Sequence, residues 1–379
     1  QAHAAPGSVR ARSGRAPLLV RDPLSTWGGT ALMGVRELLD ALDRAERART
    51  GRNVALWERL SCRAQALAPD FTAPELCRAL FAFNRARHRD ESLLRAACEA
   101  VVQEHPEQEL TGNDVALLLK AFSKHGFVHL GTIDFLLHRA SLELPKLAPA
   151  DISHLMSAVL KLGLSQHLAD DGSHSGLLDR LFEAACQQLG DAYLPAADMT
   201  NLCAAAALFH PTEGGGRFLE AAAIQLHNSP GRLMTTPPSD VVRRLVSIKE
   251  FDKAVHLQGE PTPLPVAKRL GCSGVHKLCE VTALALARRA HELDAKTAVA
   301  ACEALAALLP GSAALPWDHS ALRPVFALVH QRLPSMHQSL VQRALQALEA
   351  LAEVQPDPLL RELLDAIPYQ VQVQAVPPA

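Results

Sequence analysis

The chain has 379 residues, 48% of them hydrophobic and only 4% aromatic, with 38 Lys plus Arg against 40 Asp plus Glu and a formal net charge of −2. That balance excludes a globally basic nucleic-acid binder, so any contact with RNA has to come from a local stripe of cations. It also argues against membrane insertion, because no uncharged run reaches the roughly 18 residues that a span needs; residues 304–317 come nearest and are broken by Pro310 and Gly311.

Residues 1–21 carry Arg10, Arg12, Arg15 and Arg21 with no acid before Asp22. An Arg-rich, acid-poor leader resembles an organelle transit peptide or the segment just after one, and the missing initiator Met agrees with a processed or truncated chain. Residues 1–25 therefore read as a basic arm, with a mitochondrial address as the expectation and a plastid as the alternative. A first helical pair is expected at 30–48 and 53–68, within an N-terminal unit 26–70. Helical pairs then follow at 73–86 and 91–104, 112–125 and 130–143, 149–162 and 175–189, and 196–209 and 216–227. A Pro/Ser/Thr linker at 229–239 precedes a pair at 239–255 and 275–292, and the last pair lies at 295–308 and 319–333. Helices near 336–354 and 357–366 cap the array over 334–366. The tail 367–379, which alternates Val and Gln and ends in Pro-Pro, reads as an extended arm that orders on a partner.

One phrase recurs at the head of these pairs: Leu110-Thr111-Gly112-Asn113-Asp114, Leu147-Ala148-Pro149-Ala150-Asp151 and Leu194-Pro195-Ala196-Ala197-Asp198. Weaker copies are Phe71 to Glu75, Thr236 to Asp240 and Leu293 to Thr297. The acids (Thr297 in the last copy) recur at intervals of 39, 37, 47, 42 and 57 residues (75 to 114, 114 to 151, 151 to 198, 198 to 240, 240 to 297). Two helices and two turns take roughly 34 to 47 residues in known helical repeats, so residues 71–333 read as a repeat array. The residue three before the acid takes the N-cap. Thr72 with Glu75 and Thr111 with Asp114 then form capping boxes, Pro149 falls at the first helical position, and Leu110/Val115 and Leu147/Ile152 have staple spacing. Pro195 and Pro237 fit the cap position less well. Seven residues after the acid stand Ala82, Ala121, Ala158, Ala205, Ser247 and Ala304, a small column suited to close helix contact. One later come Phe83, Phe122, Val159, Ala206, Ile248 and Leu305, which fill a core. The fold expected is an all-α, right-handed α-solenoid of about six or seven helix-turn-helix repeats.

The eight cysteines show no CxxC pair and no metal-like spacing with histidine. Cys77, Cys98, Cys186, Cys203 and Cys302 fall on inner helix faces, as buried free thiols in a reducing compartment. Gly214-Gly215-Gly216-Arg217 lacks the spacing and ending of a P-loop, and Gly271-Cys272-Ser273-Gly274 reads as a loop. No HExxH, GxSxG or kinase signature is present, and His125, His154 and His210 sit at unrelated repeat positions. The reading is therefore non-enzymatic, with no cofactor, metal or small-molecule substrate.

The Leu-x-x-x-Asp phrase, the apolar helix with its central Ala, and the endings Lys124-His125-Gly126 and Lys161-Leu162-Gly163 resemble the helical repeats of organellar RNA-binding proteins of the octotricopeptide and heptatricopeptide group. The resemblance covers about 71–333, is strongest over 110–210, and rests on pattern rather than an invariant motif. It implies paired-helix repeats, an organellar address and work on RNA, sometimes within mitochondrial ribosomes. Two departures stand out: residues 366–370 show no RAP-like domain, and the charge is near neutral.

A structural component of an organellar ribonucleoprotein, foremost the mitochondrial ribosome, is accordingly the leading expectation. An RNA stability or processing factor, and a protein-only scaffold such as a respiratory-complex accessory subunit, are the alternatives. Positions three, six and ten after the acid share one helix face. They hold Arg78, His154, Asn201 and Arg243 at the third place, Lys120 and Ser157 at the sixth, and Arg85, Lys124 and Lys161 at the tenth. Leu117, Ala300 and Leu208 interrupt the columns. The candidate RNA-binding residues are thus Arg78, Arg85, Lys120, Lys124, His154, Lys161, Asn201 and Arg243, weighed against an ordinary solvated face.

Overall fold

The computed structural model describes residues 30–103, 110–164, 168, 176–191, 194–209, 212–258, 266–309, 322–354, 358 and 360–365; among them it contains helices and no strand. The arm 1–25, the loop 170–175, His210 and the tail 367–379 lie outside the described residues. In chain order the α-helices are α1 (Val35–Arg47), α2 (Val54–Ala66), α3 (Ala73–Arg85), α4 (Glu91–Gln103), α5 (Gly112–His125), α6 (Leu130–Glu143), α7 (Pro149–Lys161) and α8 (Leu177–Asp191). They continue as α9 (Ala196–Leu208), α10 (Glu213–Asn228), α11 (Pro230–Thr235), α12 (Pro238–Gln258), α13 (Val266–Arg288), α14 (Ala295–Leu308), α15 (Arg323–Arg332) and α16 (Gln338–Val354).

Helices pack on near neighbours. The first helices of successive pairs form one row, α1 on α3, then α5, α7, α9, α12, α14 and α16. The second helices contact one another as α2, α4, α6 and again as α8, α10, α13, α15. The alanine column explains the first row: Ala82, Ala121, Ala158, Ala205 and Ala304 are each at most 1% exposed, and Ser247 is buried with them. A side chain that ends at Cβ lets the neighbouring backbone approach. The following column, from Phe83 to Leu305, is buried beside it and fills the space that the small residues leave.

Caps fix where each first helix starts. The Asp114 carboxylate accepts from the Thr111 backbone N–H (3.1 Å) and hydroxyl (2.6 Å), while the Asp114 N–H donates back to the hydroxyl (3.3 Å). Glu75 accepts from the Thr72 N–H at 3.0 Å, and Asp151 from the Ala148 N–H at 3.1 Å although Ala148 has no side-chain oxygen to return the bond. A further copy escaped the sequence reading: Glu37 accepts from the Gly34 N–H at 3.0 Å at the head of α1. At α14 the roles are reversed, Asp294 at the N-cap accepting from the Thr297 N–H at 2.7 Å.

Side chains of the second row tie back to these heads. Arg139 of α6 donates to the Leu110 carbonyl (3.3 Å), Gln188 of α8 to that of Leu147 (2.6 Å), and Arg289, just after α13, to that of Thr236 (2.8 Å). In all three cases the acceptor lies four residues before the acid of the repeated phrase. The donors lie at no fixed interval from it.

Three boundaries differ from expectation. The glycine run 214–216 is not a turn; α10 already starts at Glu213, with Thr212 accepting from the Gly215 N–H at 3.1 Å. A Cβ at Gly214 would lie 2.8 Å from the Asp179 backbone oxygen of α8, so the close crossing of α8 and α10 demands glycine there. The linker 229–239 contains the one-and-a-half-turn helix α11, opened by Pro230 at its first position. The break expected over Gly271 to Gly274 narrows to one residue: Gly271 alone is non-helical (φ 68°, ψ 167°), a conformation open to glycine and strained for other residues, and it divides α13 into two helices, with Cys272 to Gly274 already in the second. The cysteines are corrected at one position. Cys77, Cys98, Cys203 and Cys302 are buried, but Cys186 is half-buried at the edge of the core. Burial raises the Cys98 and Cys186 thiols to about 11 and those of Cys203 and Cys302 to about 12, so these four stay protonated at neutral pH.

Candidate nucleic-acid interface

The eight candidate residues do not form one continuous stripe. Arg78 is ion-paired with Asp43 of α1. Arg85 forms a fork with Glu46, its terminal nitrogen 2.6 Å from one carboxylate oxygen and its Nε bonded to the other. Arg243 lies 3.8 Å from Asp240, one turn earlier on α12. Asn201 is half-buried on α9. These arginines already have carboxylate partners, and a phosphate would have to compete with them.

Between them lies a different arrangement. Lys120 and Lys124 on α5 meet His154 and Lys161 on α7, the two helices being packed side by side. Lys120 Nζ is 2.6 Å from His154 Nε2. An ammonium can only donate, so Nε2 accepts, the ring proton sits on Nδ1, and Nδ1 is buried with no hydrogen-bond partner. Lys124 and Lys161 are exposed. None of the three ammonium groups is ion-paired with a described carboxylate.

The electrostatics of this cluster follow from that geometry. Burial lowers the Lys120 pKa; Asp198 opposes the shift, and Lys124 and Lys161 add to it. Burial and then Lys124 lower that of Lys161. His154 is held below the ordinary value of 6.5 by burial and by the Lys120 charge. Like charges that depress one another are relieved by an incoming anion.

Asp198 steadies the group from behind, accepting from Ser153 Oγ of α7 at 3.0 Å. The reason is local. The equivalent acids Asp114 and Asp151 take the backbone N–H three residues earlier, but Pro195 has none to offer, so the Asp198 carboxylate turns to its neighbour. Ser153 was not singled out from the sequence, and Asp198 was read there only as the acid of a helix-start phrase, although the misfitting Pro195 was the signal that could have redirected it. On the other flank, Asn84 of α3 donates to the Lys124 carbonyl at 2.9 Å and holds the end of α5.

On α9 the same face carries no cation at the sixth and tenth places, and cations return only with Arg243 of α12. The sixth and tenth places are Ala204 and Leu208 on α9, and Leu208 is 68% exposed. Among the described residues no group of three His, Cys, Asp or Glu could hold a metal ion, and no helix is long and apolar enough to cross a membrane. Compared with models of known protein families and with curated proteins, the chain matches none.

Proposed function

We propose that this chain is a non-catalytic helical-repeat protein, a right-handed solenoid of six or seven pairs, that contacts RNA and neighbouring proteins as a structural part of an organellar ribonucleoprotein. The mitochondrial ribosome is the assembly we put first. The observation that carries the reading is the bunching of Lys120, Lys124 and Lys161 around His154 without a described carboxylate partner. Such a cluster suits phosphate oxygens, because each lysine that meets a phosphate displaces condensed counterions even when the whole protein is neutral. Restriction to two adjacent helices fits contact with a backbone at one place. A reader of successive bases would need suitable side chains on every repeat, and Ala204, Leu208 and Ala300 do not supply them. The arginine-rich, acid-free composition of residues 1–21 supports the organellar address.

The test is binding of a single-stranded RNA by the full chain across a salt series. Three phosphate contacts contribute a slope of about 2 in log K against log salt, from roughly 0.7 per contact. The triple replacement of Lys120, Lys124 and Lys161 by Glu should abolish most of that slope while leaving the fold intact by circular dichroism. A mutant with the parent slope would end this assignment. Isolation of the native complex then asks whether ribosomal RNA co-sediments; a complex of protein alone would favour the scaffold alternative.

A further inference from the structure

Beyond the lysine cluster, the same face of the first-helix row opens into a groove of about 470 Å³ between α9, α12 and α14. Val242 and Val246 of α12 form its floor. Ala204, Ala207 and Leu208 of α9 line one wall, and Thr297 and Ala300 of α14 the other. Three alanines here give a partner's backbone room to approach. Leu208, 68% exposed, is a large apolar side chain left facing solvent at the lip.

The chemistry of this lining selects the class of occupant. No aromatic side chain lines the groove, so nothing is present on which a base could stack; its floor and walls are mainly hydrocarbon, with the hydroxyls of Ser239, Ser247 and Thr297 among them and the two cations confined to one edge. An apolar helix face fits such a surface, anchored by residues three and four apart. The rim adds a direction. Arg243 and Lys296 stand at the edge formed by the N-terminal halves of α12 and α14, where the helix dipoles also point their positive ends. Asp240 shares Arg243 at 3.8 Å, and the Asp294 carboxylate is occupied by the Thr297 N–H at 2.7 Å. At the opposite edge, Glu250 is 2.8 Å from Lys249 and is thereby compensated.

We propose that this groove docks an amphipathic helix of another protein, laid across α9, α12 and α14, with an acidic flank against Arg243 and Lys296. Two interaxial steps of about 8–10 Å span roughly 16–20 Å, which about 11–13 helical residues cover at about 1.5 Å each. The partner helix thus presents three or four apolar residues over about three turns. The groove stands apart from the lysine cluster, so this proposal and the RNA reading fail separately.

The test uses the full chain and two fluorescein-labelled synthetic helices of about 16 residues, with the same leucine stripe and either Glu or Lys along one flank. Fluorescence anisotropy should show binding of the Glu-flanked peptide, and roughly tenfold weaker binding of the Lys-flanked one, about the ratio that a modest electrostatic preference gives. Leu208→Asp, at an exposed position that folding does not depend on, should weaken the Glu-flanked peptide by a similar factor with an unchanged thermal midpoint. The Lys120, Lys124 and Lys161 triple Glu variant should bind the peptide like the parent. No binding by the parent, equal affinity for both flanks, or indifference to Leu208→Asp overturns the proposal. So does concentration-dependent dimerisation that Leu208→Asp abolishes, which would assign the groove to a second copy of the chain. Competition by single-stranded RNA for the peptide would assign it to nucleic acid instead.

Discussion

The heads of α5 and α7 form a natural pair of opposite experiments. Thr111 and Ala148 occupy the same N-cap position with nearly identical backbone angles (φ −71°, ψ 159° and φ −73°, ψ 157°). Both are exposed, and both are followed three residues later by an aspartate that takes their backbone N–H. They differ in a hydroxyl and a methyl, and only the hydroxyl can cap. At α5 that hydroxyl accepts from the Asp114 N–H at 3.3 Å and donates to the Asp114 carboxylate at 2.6 Å; at α7 the Asp151 N–H has no side-chain acceptor of this kind. Removing the hydroxyl in Thr111→Ala leaves one helix N–H without its cap and should cost about 1 kcal/mol, within the usual 0.5–2 for such caps. Adding it in Ala148→Thr should stabilise by up to about 1 kcal/mol, since the backbone is already in the capping conformation and the site is open to solvent. Urea denaturation followed by far-ultraviolet circular dichroism reads both. Their midpoints should move to opposite sides of the parent with the slopes unchanged. Shifts of the same sign, or none in Thr111→Ala, would refute the claim that the repeated phrase is a cap rather than a packing motif.

Other consequences are equally open to measurement. Ala158 is 1% exposed on α7, between α5 and α9, so Ala158→Leu should overpack the seam and cost on the order of 1–3 kcal/mol, read by the same denaturation. His125 and His154 are both held below the ordinary value of 6.5, chiefly by burial. Just below that pH the unfolded chain therefore binds more protons than the folded one, and stability is present above about 6.5 and lost as pH falls through it. The urea midpoint should drop between about pH 7.5 and 5.5, and replacing both histidines by Gln should flatten the fall. Among the described cysteines, exposed Cys62 should react first with a thiol reagent in the folded protein; buried Cys77, Cys203, Cys279 and Cys302 should react only on unfolding, and fast labelling of Cys203 would contradict the packing of α9.

Much of this protein is decided along the chain itself. Helix starts are local chemistry: a side-chain oxygen, a missing proline N–H or an acid at the third position acts within one turn, so Thr111, Pro149 and Asp294 mark boundaries that no distant residue needs to confirm. The small-residue column and the apolar column beside it are also legible, because a helix repeats its faces every three or four residues and the burial of Ala121 and Phe122 follows from that period. Departures occur where two helices meet. Gly214 reads as a turn until the backbone of α8 is found against it, and the loop read over Gly271 to Gly274 shrinks to the single non-helical Gly271 between two helices. The candidate interface divides in the same way. One helix face could be listed from spacing, but Arg78 and Arg85 have their charge compensated by Asp43 and Glu46 some 35 and 39 positions earlier, while Lys120 acquires His154 at a separation of 34. The bonds from Arg139, Gln188 and Arg289 to the helix heads were invisible for the same reason, since connections of different length bring them to the equivalent carbonyl of three copies. A repeated phrase specifies which side chains face outward; which of those cations are neutralised and which stand together depends on the neighbouring repeat, and hence on tertiary packing alone.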